Sequence, residues 1–229
     1  MSYSRCLIFC AMWSTALCAD VAPKALLKAL ESEDFAARES AQSDLLLWAR
    51  KNPKGAVSEL LRLSSEAGSP SPEVRERCMQ VLQQLAADDF AKEGDGYLGV
   101  RMEDRLMRIP GESAERWAVV VLEVVADSAA AKCGLKIGDA IVELDGQVWN
   151  QQASMLFSEQ IRKRKPGTRV RLRIVRDGVL QSIRGELARR PAEADLFMPG
   201  TDPEEGRALE QKARDAHFQR WLSEKRGAR

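Results

Sequence analysis

Two glycine-rich stretches, Gly96-Tyr97-Leu98-Gly99-Val100 and Gly134-Leu135-Lys136-Ile137-Gly138-Asp139-Ala140-Ile141-Val142-Glu143-Leu144-Asp145-Gly146, decide the fold of the centre of this 229-residue chain. The first places a glycine between apolar residues, just before a segment that alternates like a strand. A glycine there lets backbone N–H groups converge into a concave anion site, because no Cβ obstructs the turn. The second is a glycine turn, an apolar strand and an Asp-Gly turn that reverses the chain.

In this order, the two stretches resemble the PDZ domain of bacterial envelope proteases, over about residues 94–190. The sequence between and after them fits the same pattern. The continuous apolar run 118–125 suits a buried strand, and residues 170–174 alternate apolar residues with arginines. The resemblance implies a partly open β-barrel with two helices, a short one at 127–133 and a longer one at 148–165.

Residues 20–92 precede this segment and predict helices, because apolar residues recur at helical spacing in four stripes. An Asn52-Pro53 pair is expected to cap and begin the third helix, and Ser71 the fourth. The pieces 35–46 and 72–82 echo each other and resemble a short HEAT-type repeat of about two units. A plain four-helix cap without a groove is the alternative. The predicted class is therefore α+β, with an all-α HEAT-like module before the PDZ-type barrel.

Residues 191–202 are predicted to be a linker, and 203–225 a C-terminal helix with a weak apolar face. That helix either docks on another part of the chain or waits for a partner. The single histidine of the sequence, His217, lies on it and is expected to be exposed.

The first 19 residues have the pattern of a secretory signal peptide: Arg5, then an apolar run to Leu17, then small residues. The run is too short to cross a bilayer by itself. We therefore expect a periplasmic or secreted protein without stable membrane insertion after cleavage. A lipoprotein is less favoured, because Leu17 precedes Cys18 where glycine or alanine is usual. Of the five cysteines, Cys78 and Cys133 remain, as buried free thiols or as a disulfide.

Composition argues against several function classes. The net charge is +1, and aromatic residues do not interleave with the basic clusters, so no nucleic-acid partner is expected. One histidine and two mature cysteines show no metal-ligand spacing. The chain has neither a Gly-x-Ser-x-Gly nor a Gly-Asn-Ser-Gly-Gly motif, and it has no scaffold for a Ser/His/Asp triad; a Ser/Lys dyad is the remaining alternative. We expect no metal, no cofactor and no catalytic residues.

The PDZ resemblance implies where a ligand binds. In that family an incoming C-terminal peptide adds a strand to an open sheet edge. Backbone N–H groups of Leu98, Gly99 and Val100 would hold the terminal carboxylate, and 100–103 would form the receiving edge. An apolar pocket would favour an apolar last residue, and small serines would impose no demand for Ser or Thr at the third-last position. The peptide-binding residues implied are Tyr97, Leu98, Gly99, Val100, Arg101, Met102, Ser154, Ser158 and Ile161. Met155, Leu156 and Phe157 form an alternative helix face.

The function expected from these observations is a non-catalytic protein-binding adaptor of the cell envelope that captures C-terminal or extended peptides. A regulatory or degenerate subunit of an envelope protease complex is the alternative, and such a protease is then a partner. A further alternative is that the groove only packs against a neighbouring domain and binds no free C-terminus.

Overall fold

The computed structural model describes residues 21–195 and 203–227, in two compact units, 21–85 with 225–227, and 86–224. The expected signal peptide at 1–19 and the end of the expected linker, 196–202, lie outside the described residues. Each unit is described by itself below.

The helices of the N-terminal region occupy the four predicted stripes. They are α1 (Lys24–Ala29), α2 (Phe35–Lys51), α3 (Ala56–Leu63) and α4 (Pro72–Phe90). Ser71 Oγ accepts from the backbone N–H of Val74 at 3.3 Å, as expected of its cap. The prediction for Asn52 is wrong: this residue ends α2, and its side-chain amide donates to Trp48 O at 2.8 Å. The Asn-Pro pair therefore closes one helix instead of opening the next.

A buried arginine ties α2 to α4. Arg77, 8% exposed, donates to Glu73 at 2.8 Å, to Glu39 at 2.6 Å and to Gln42 at 2.5 Å. Arg38 of α2 in turn reaches Glu73 at 3.3 Å. The two echoing sequence segments are thus joined by reciprocal charge contacts, which fix the register of the two helices against each other.

The second unit contains every strand of the described chain. The strands are β1 (Gly96–Tyr97), β2 (Val100–Arg108), β3 (Glu115–Val124), β4 (Ala140–Leu144), β5 (Arg169–Arg176), β6 (Val179–Glu186) and β7 (Ala188–Arg189), and the helices are α5 (Ala129–Lys132), α6 (Ala153–Arg162) and α7 (Pro203–Gly227). Strands β2-β3-β4-β5-β6 form one antiparallel sheet in that order, and β1 pairs with β7. The result is a mixed helix and sheet fold.

Strand β3 explains the continuous apolar run in the sequence. Successive side chains of a strand point to opposite faces. Val119 and Val121 join the main core with residues of α5 and α6, whereas Ala118 and Val120 join a smaller apolar cluster that includes Ile109. Both faces of β3 are covered, so it has no polar alternation at these positions.

The second quoted stretch is held by one buried carboxylate. Asp139 is almost fully buried, accepts from the Lys136 N–H at 2.8 Å and pairs with Arg176 of β5 at 2.7 Å. The Asp145-Gly146 turn follows β4 with positive φ at both residues, 51° and 90°, as a tight reversal requires.

Strands β2 and β3 form a long hairpin, because they pair from Val100↔Val124 to Arg108↔Glu115. One element differs from the expectation. The second helix is shorter than the expected 148–165 and begins only at Ala153, after Gln152 in a left-handed conformation.

The C-terminal helix α7 docks within the second unit. Trp221 Nε1 donates to Asp89 at 2.8 Å, and the His217 ring packs at a tilt against Phe90, with ring centroids 5.1 Å apart. The expectation of an exposed His217 is wrong: the residue is 4% exposed, with its Nδ1 3.3 Å from Glu93. The apolar pattern of α7 did not predict how closely the helix packs, because aromatic and charged side chains make much of the contact. Within the described ranges, none of the helices is long and apolar enough to cross a bilayer.

Candidate peptide-binding cleft

A cleft of about 550 Å³ lies between the start of β2 and α6. Its floor and walls come from the glycine loop, the first residues of β2, the end of β3 and one face of α6. Lining residues are Gly96, Tyr97, Leu98, Gly99, Val100, Arg101, Met102, Glu123, Val125, Phe157, Ser158, Ile161, Arg162, Arg190 and Ala194. Eight of the nine residues implied by the sequence are therefore brought together here; Ser154 is the exception.

The glycine loop has no room for a side chain at Gly99. Its φ is +85°, and a Cβ there would lie 2.3 Å from the Cβ of Ser128. Ser128 cannot easily withdraw, because its hydroxyl accepts from the N–H of Ala131 at 3.2 Å as the cap of α5. The backbone of Gly99 thus packs directly against the side chain of Ser128, and only glycine leaves room for this contact.

The carbonyl groups of this loop turn inward. Leu98 O accepts from the N–H of Ala130 at 2.7 Å, and Gly99 O accepts from the N–H of Val125 at 3.0 Å. Among residues 21–195 and 203–227, the N–H groups of Leu98 and Gly99 donate to no hydrogen bond. Two consecutive amides are therefore available at the loop end of the cleft.

A third amide follows from the strand register. Because Val125 bonds to Gly99, Val100 and Val124 form a non-hydrogen-bonded pair between β2 and β3. Both backbone polar groups of Val100 then point away from β3. Successive amides that converge in this way form an anion-binding concavity suited to a carboxylate.

The edge of β2 beside these amides is open. In the described part of the chain, β2 pairs only with β3. The extra residue of the bulge near Arg101 and Met102 lies on β3, where Leu122 is unpaired, so the alternation of β2 continues past Val100. Met102 thus presents its backbone groups on the same free side as Val100, where a further strand can bond.

The apolar part of the cleft lies between the loop and α6. Leu98 and Ile161 are buried, and Val100 and Met102 are half-buried against the same core. Phe157 also lines the cleft, one turn before Ile161, although the sequence placed it on the alternative helix face. Its i, i+4 spacing from Ile161 was the signal for this position. The register of α6 is settled by Phe157 and Ile161, with Met155 55% exposed.

Ser154 lies outside the cleft. Its backbone N–H donates to Asp104 Oδ1 at 2.5 Å, beyond the last lining residue of β2. Ser158, one turn later, is half-buried and does line the cleft.

The charged residues of the lining favour an anion. Arg101, Arg162 and Arg190 line the cleft together with one acidic residue, Glu123, which Arg101 contacts at 3.1 Å. Sequence reasoning missed Arg162, which directly follows Ile161 on α6. It also missed Arg190 and Ala194, because their positions depend on how the chain after β7 runs past the loop. None of the described residues of α7 lines this cleft.

Two free cysteines lie in the described part of the chain, outside the cleft. Cys78 is fully buried, and burial raises the pKa of its thiol to about 12. Cys133 is a half-buried free thiol whose pKa burial also raises. Within the described ranges, no three His, Cys, Asp or Glu side chains are grouped closely enough to hold a metal ion.

Comparison with known proteins assigns the segment that contains most of this cleft to a domain family. Residues 96–187 match the PDZ domain family. Two probable periplasmic serine endoproteases described as DegP-like are similar. That of Pseudomonas fulva is 31% identical over 50% of this chain and 24% of its own, and that of Ectopseudomonas mendocina 29% identical over 58% and 25%. The chain thus spans about a quarter of the length of these curated relatives.

Two solved protease structures are similar to part of this chain. The HtrA-type protease AlgW, solved with a decapeptide, matches 56% of this chain and 40% of its own at 23% identity, with a TM-score of 0.35. A serine endoprotease from Yersinia pestis matches 48% of this chain and 34% of its own at 21% identity, with a TM-score of 0.32.

The family match, the antiparallel strand order and the open β2 edge beside a glycine loop agree, and the expected resemblance is confirmed. Residues 96–187 of this chain are a PDZ domain, of the type found in DegP-like periplasmic endoproteases.

Proposed function

We propose that this protein is a non-catalytic adaptor of the cell envelope, whose PDZ domain captures the C-termini of other proteins. The peptide adds antiparallel to β2, and its terminal carboxylate accepts hydrogen bonds from the amides of Leu98, Gly99 and Val100. The observation that carries the proposal is the open β2 edge, which ends at these amides in the described structure.

The lining supports a preference for an apolar last residue. Buried Leu98 and Ile161, with half-buried Val100 and Met102, surround the place where that side chain would enter. Hydrogen bonds to a charged group contribute about 1.5–3 kcal/mol each, and association costs roughly 4–15 kcal/mol. The association cost therefore offsets most of what three such bonds contribute, and we expect weak, reversible capture.

The proposal is tested by calorimetric titration with a peptide that ends in an apolar residue, as the free acid and as the amide. The amide should bind at least about tenfold more weakly, because it lacks the charge that the three amides would hold. Ser158→Trp should fill the cleft and abolish binding. Met155→Trp, on the same helix but exposed and outside this cleft, is the matched control and should bind normally. Equal binding of acid and amide would contradict the proposal.

The absence of catalysis is also a proposal. The only histidine of the sequence, His217, is packed on Phe90, which supports the view that it does not serve as a general base open to substrate. Incubation of the protein with unfolded casein should leave the casein intact. Cleavage that survives purification of the protein to homogeneity would overturn this part.

Similarity to the DegP-like endoproteases favours a second function, a regulatory or degenerate subunit of an envelope protease complex. Addition of this protein to a purified envelope protease distinguishes the two functions. A regulatory subunit changes the cleavage rate of a peptide that it does not itself bind, whereas an adaptor changes only the cleavage of proteins whose C-termini it captures.

The finer structural and cellular assignments belong to the same proposal. Residues 20–92 form a HEAT-like module, supported by the reciprocal contacts Arg38–Glu73 and Arg77–Glu39 between its echoing helices. The strands form a partly open barrel, supported by β1 and β7, which pair with each other and continue into the two outer strands of the large sheet. The location is periplasmic, as named for the relatives.

A further inference from the structure

Helix α6, the wall of the cleft, takes its N-terminal cap from across the cleft. Gln152, the residue before the helix, has φ +48° and makes no side-chain cap. Glutamine is not among the residues that favour this position. The backbone N–H of Ser154 instead donates to Asp104 Oδ1 at 2.5 Å, from a strand 50 residues earlier in the chain.

The position of this bond relative to the cleft follows from the alternation of β2. Val100, Met102 and Asp104 point to the same face of the strand. The first two line the cleft, whereas the third contacts the start of α6. Along β2 the lining ends at Met102, and along α6 it begins at Phe157. The Asp104–Ser154 bond therefore joins the two walls directly beyond the end of the cleft.

A bound peptide would run toward this bond. Its last residue lies beside Val100 and its third-last beside Met102, since an antiparallel strand advances about 3.4 Å per residue. Its fifth-last residue would then lie beside Asp104, where strand and helix are already connected. A longer ligand must turn out of the groove or separate the two groups.

We propose that the Asp104–Ser154 hydrogen bond is a clasp that limits the cleft to the last three or four residues of a C-terminal peptide. The inference rests on the proposed function, because it concerns the same cleft. With the clasp closed, residues further from the C-terminus gain no contact with both walls, and internal segments are excluded. Asp104 is thereby a specificity-determining residue for ligand length.

The test is calorimetric titration of the whole protein with peptides of three, five and seven residues that share the same apolar C-terminal end. In the wild type, extension from three to seven residues should improve Kd by less than about threefold. Asp104→Ala removes the acceptor, and the same extension should then improve Kd by at least about tenfold.

Two matched variants identify the cause. Asp104→Asn keeps an acceptor oxygen and should behave as the wild type. Glu103→Ala removes the neighbouring acidic side chain of β2, which contacts Arg105 and not α6, and should also leave the length dependence unchanged. Should Asp104→Ala unfold, the double variant with Gln152→Gly replaces it, because glycine relieves the left-handed conformation before α6.

The outcomes separate the clasp from the proposed function. An equal gain on extension in the wild type and in Asp104→Ala, with the tripeptide bound by both, would overturn the clasp alone. Failure of all three peptides to bind the wild type and every variant would overturn the proposed function, and the clasp with it.

Discussion

Replacing Gly99 with alanine should destabilise the PDZ domain by about 2–5 kcal/mol, because two costs add. A non-glycine residue in the left-handed region costs about 1–2 kcal/mol, and Gly99 has φ +85°. The new Cβ would also lie 2.3 Å from the Cβ of Ser128, an overlap that must be relieved by movement. Overpacking of this kind costs about 1–3 kcal/mol.

A matched glycine separates the two costs. Gly111, in the turn between β2 and β3, has φ +86°, and a Cβ there would meet nothing within 4 Å. Gly111→Ala should therefore lose only the conformational part, about 1–2 kcal/mol. The difference between the two alanine variants measures the overlap with Ser128.

A double-mutant cycle assigns that difference to its partner. Ser128→Gly removes the Cβ that the alanine side chain of Gly99→Ala would meet. Because glycine is tolerated at helix N-caps, this change by itself should cost roughly a few tenths of a kcal/mol. The double variant should be more stable than the sum of the single changes by about 1–3 kcal/mol. Urea unfolding followed by tryptophan fluorescence gives these free energies for the whole chain.

The reasoning would be refuted if Gly99→Ala and Gly111→Ala lost equal stability, or if Ser128→Gly gave no recovery. Either result would mean that the loop adjusts around a side chain at 99. The amides of Leu98 and Val100 would then not be fixed by the packing of the loop on α5.

Three further predictions concern the rest of the chain. Burial raises the pKa of Cys78 from 9.0 to about 12, so the folded protein keeps a proton that the unfolded chain releases. Stability should be complete below pH 9 and fall as the pH rises towards 12, by up to about 1.4 kcal/mol per pH unit, and Cys78→Ala should flatten the profile of urea midpoints. Trp221→Phe removes the donor to Asp89 and should cost about 1 kcal/mol, seen as faster amide hydrogen exchange in α7. Arg77→Met breaks the contacts with Glu39 and Glu73 and should lower the stability of the helical unit by about 1–3 kcal/mol, measured by thermal unfolding.

Much of the fold was available from local sequence. The glycine-rich stretches at 96–100 and 134–146 carry the resemblance to PDZ domains that the family match confirms. Helical periodicity likewise gave the four N-terminal helices, and Ser71 the cap of the last. These features depend on backbone sterics and on side-chain periodicity, which act over a few residues and are therefore legible in one chain.

Local patterns failed where they could not show which of several partners a side chain contacts. Asn52 has the chemistry of an N-cap, yet its side chain bonds backward to α2. His217 lies on a weakly apolar helix, and only the packing of Phe90 and Glu93 shows that it is buried. Nothing in the spacing of Asp104 and Ser154 indicates that one caps the helix of the other.

By itself, then, the sequence determined that a glycine-bent loop precedes a strand and that a PDZ domain follows a helical region. Tertiary structure alone decided that β2 has no second neighbour among the described strands, that Phe157 lines the cleft and that Asp104 joins its two walls. The physical reason is range: turns and periodicity are set by neighbours in the chain, whereas an open edge and a bond between residues 50 positions apart exist only once the sheet and the helix are packed.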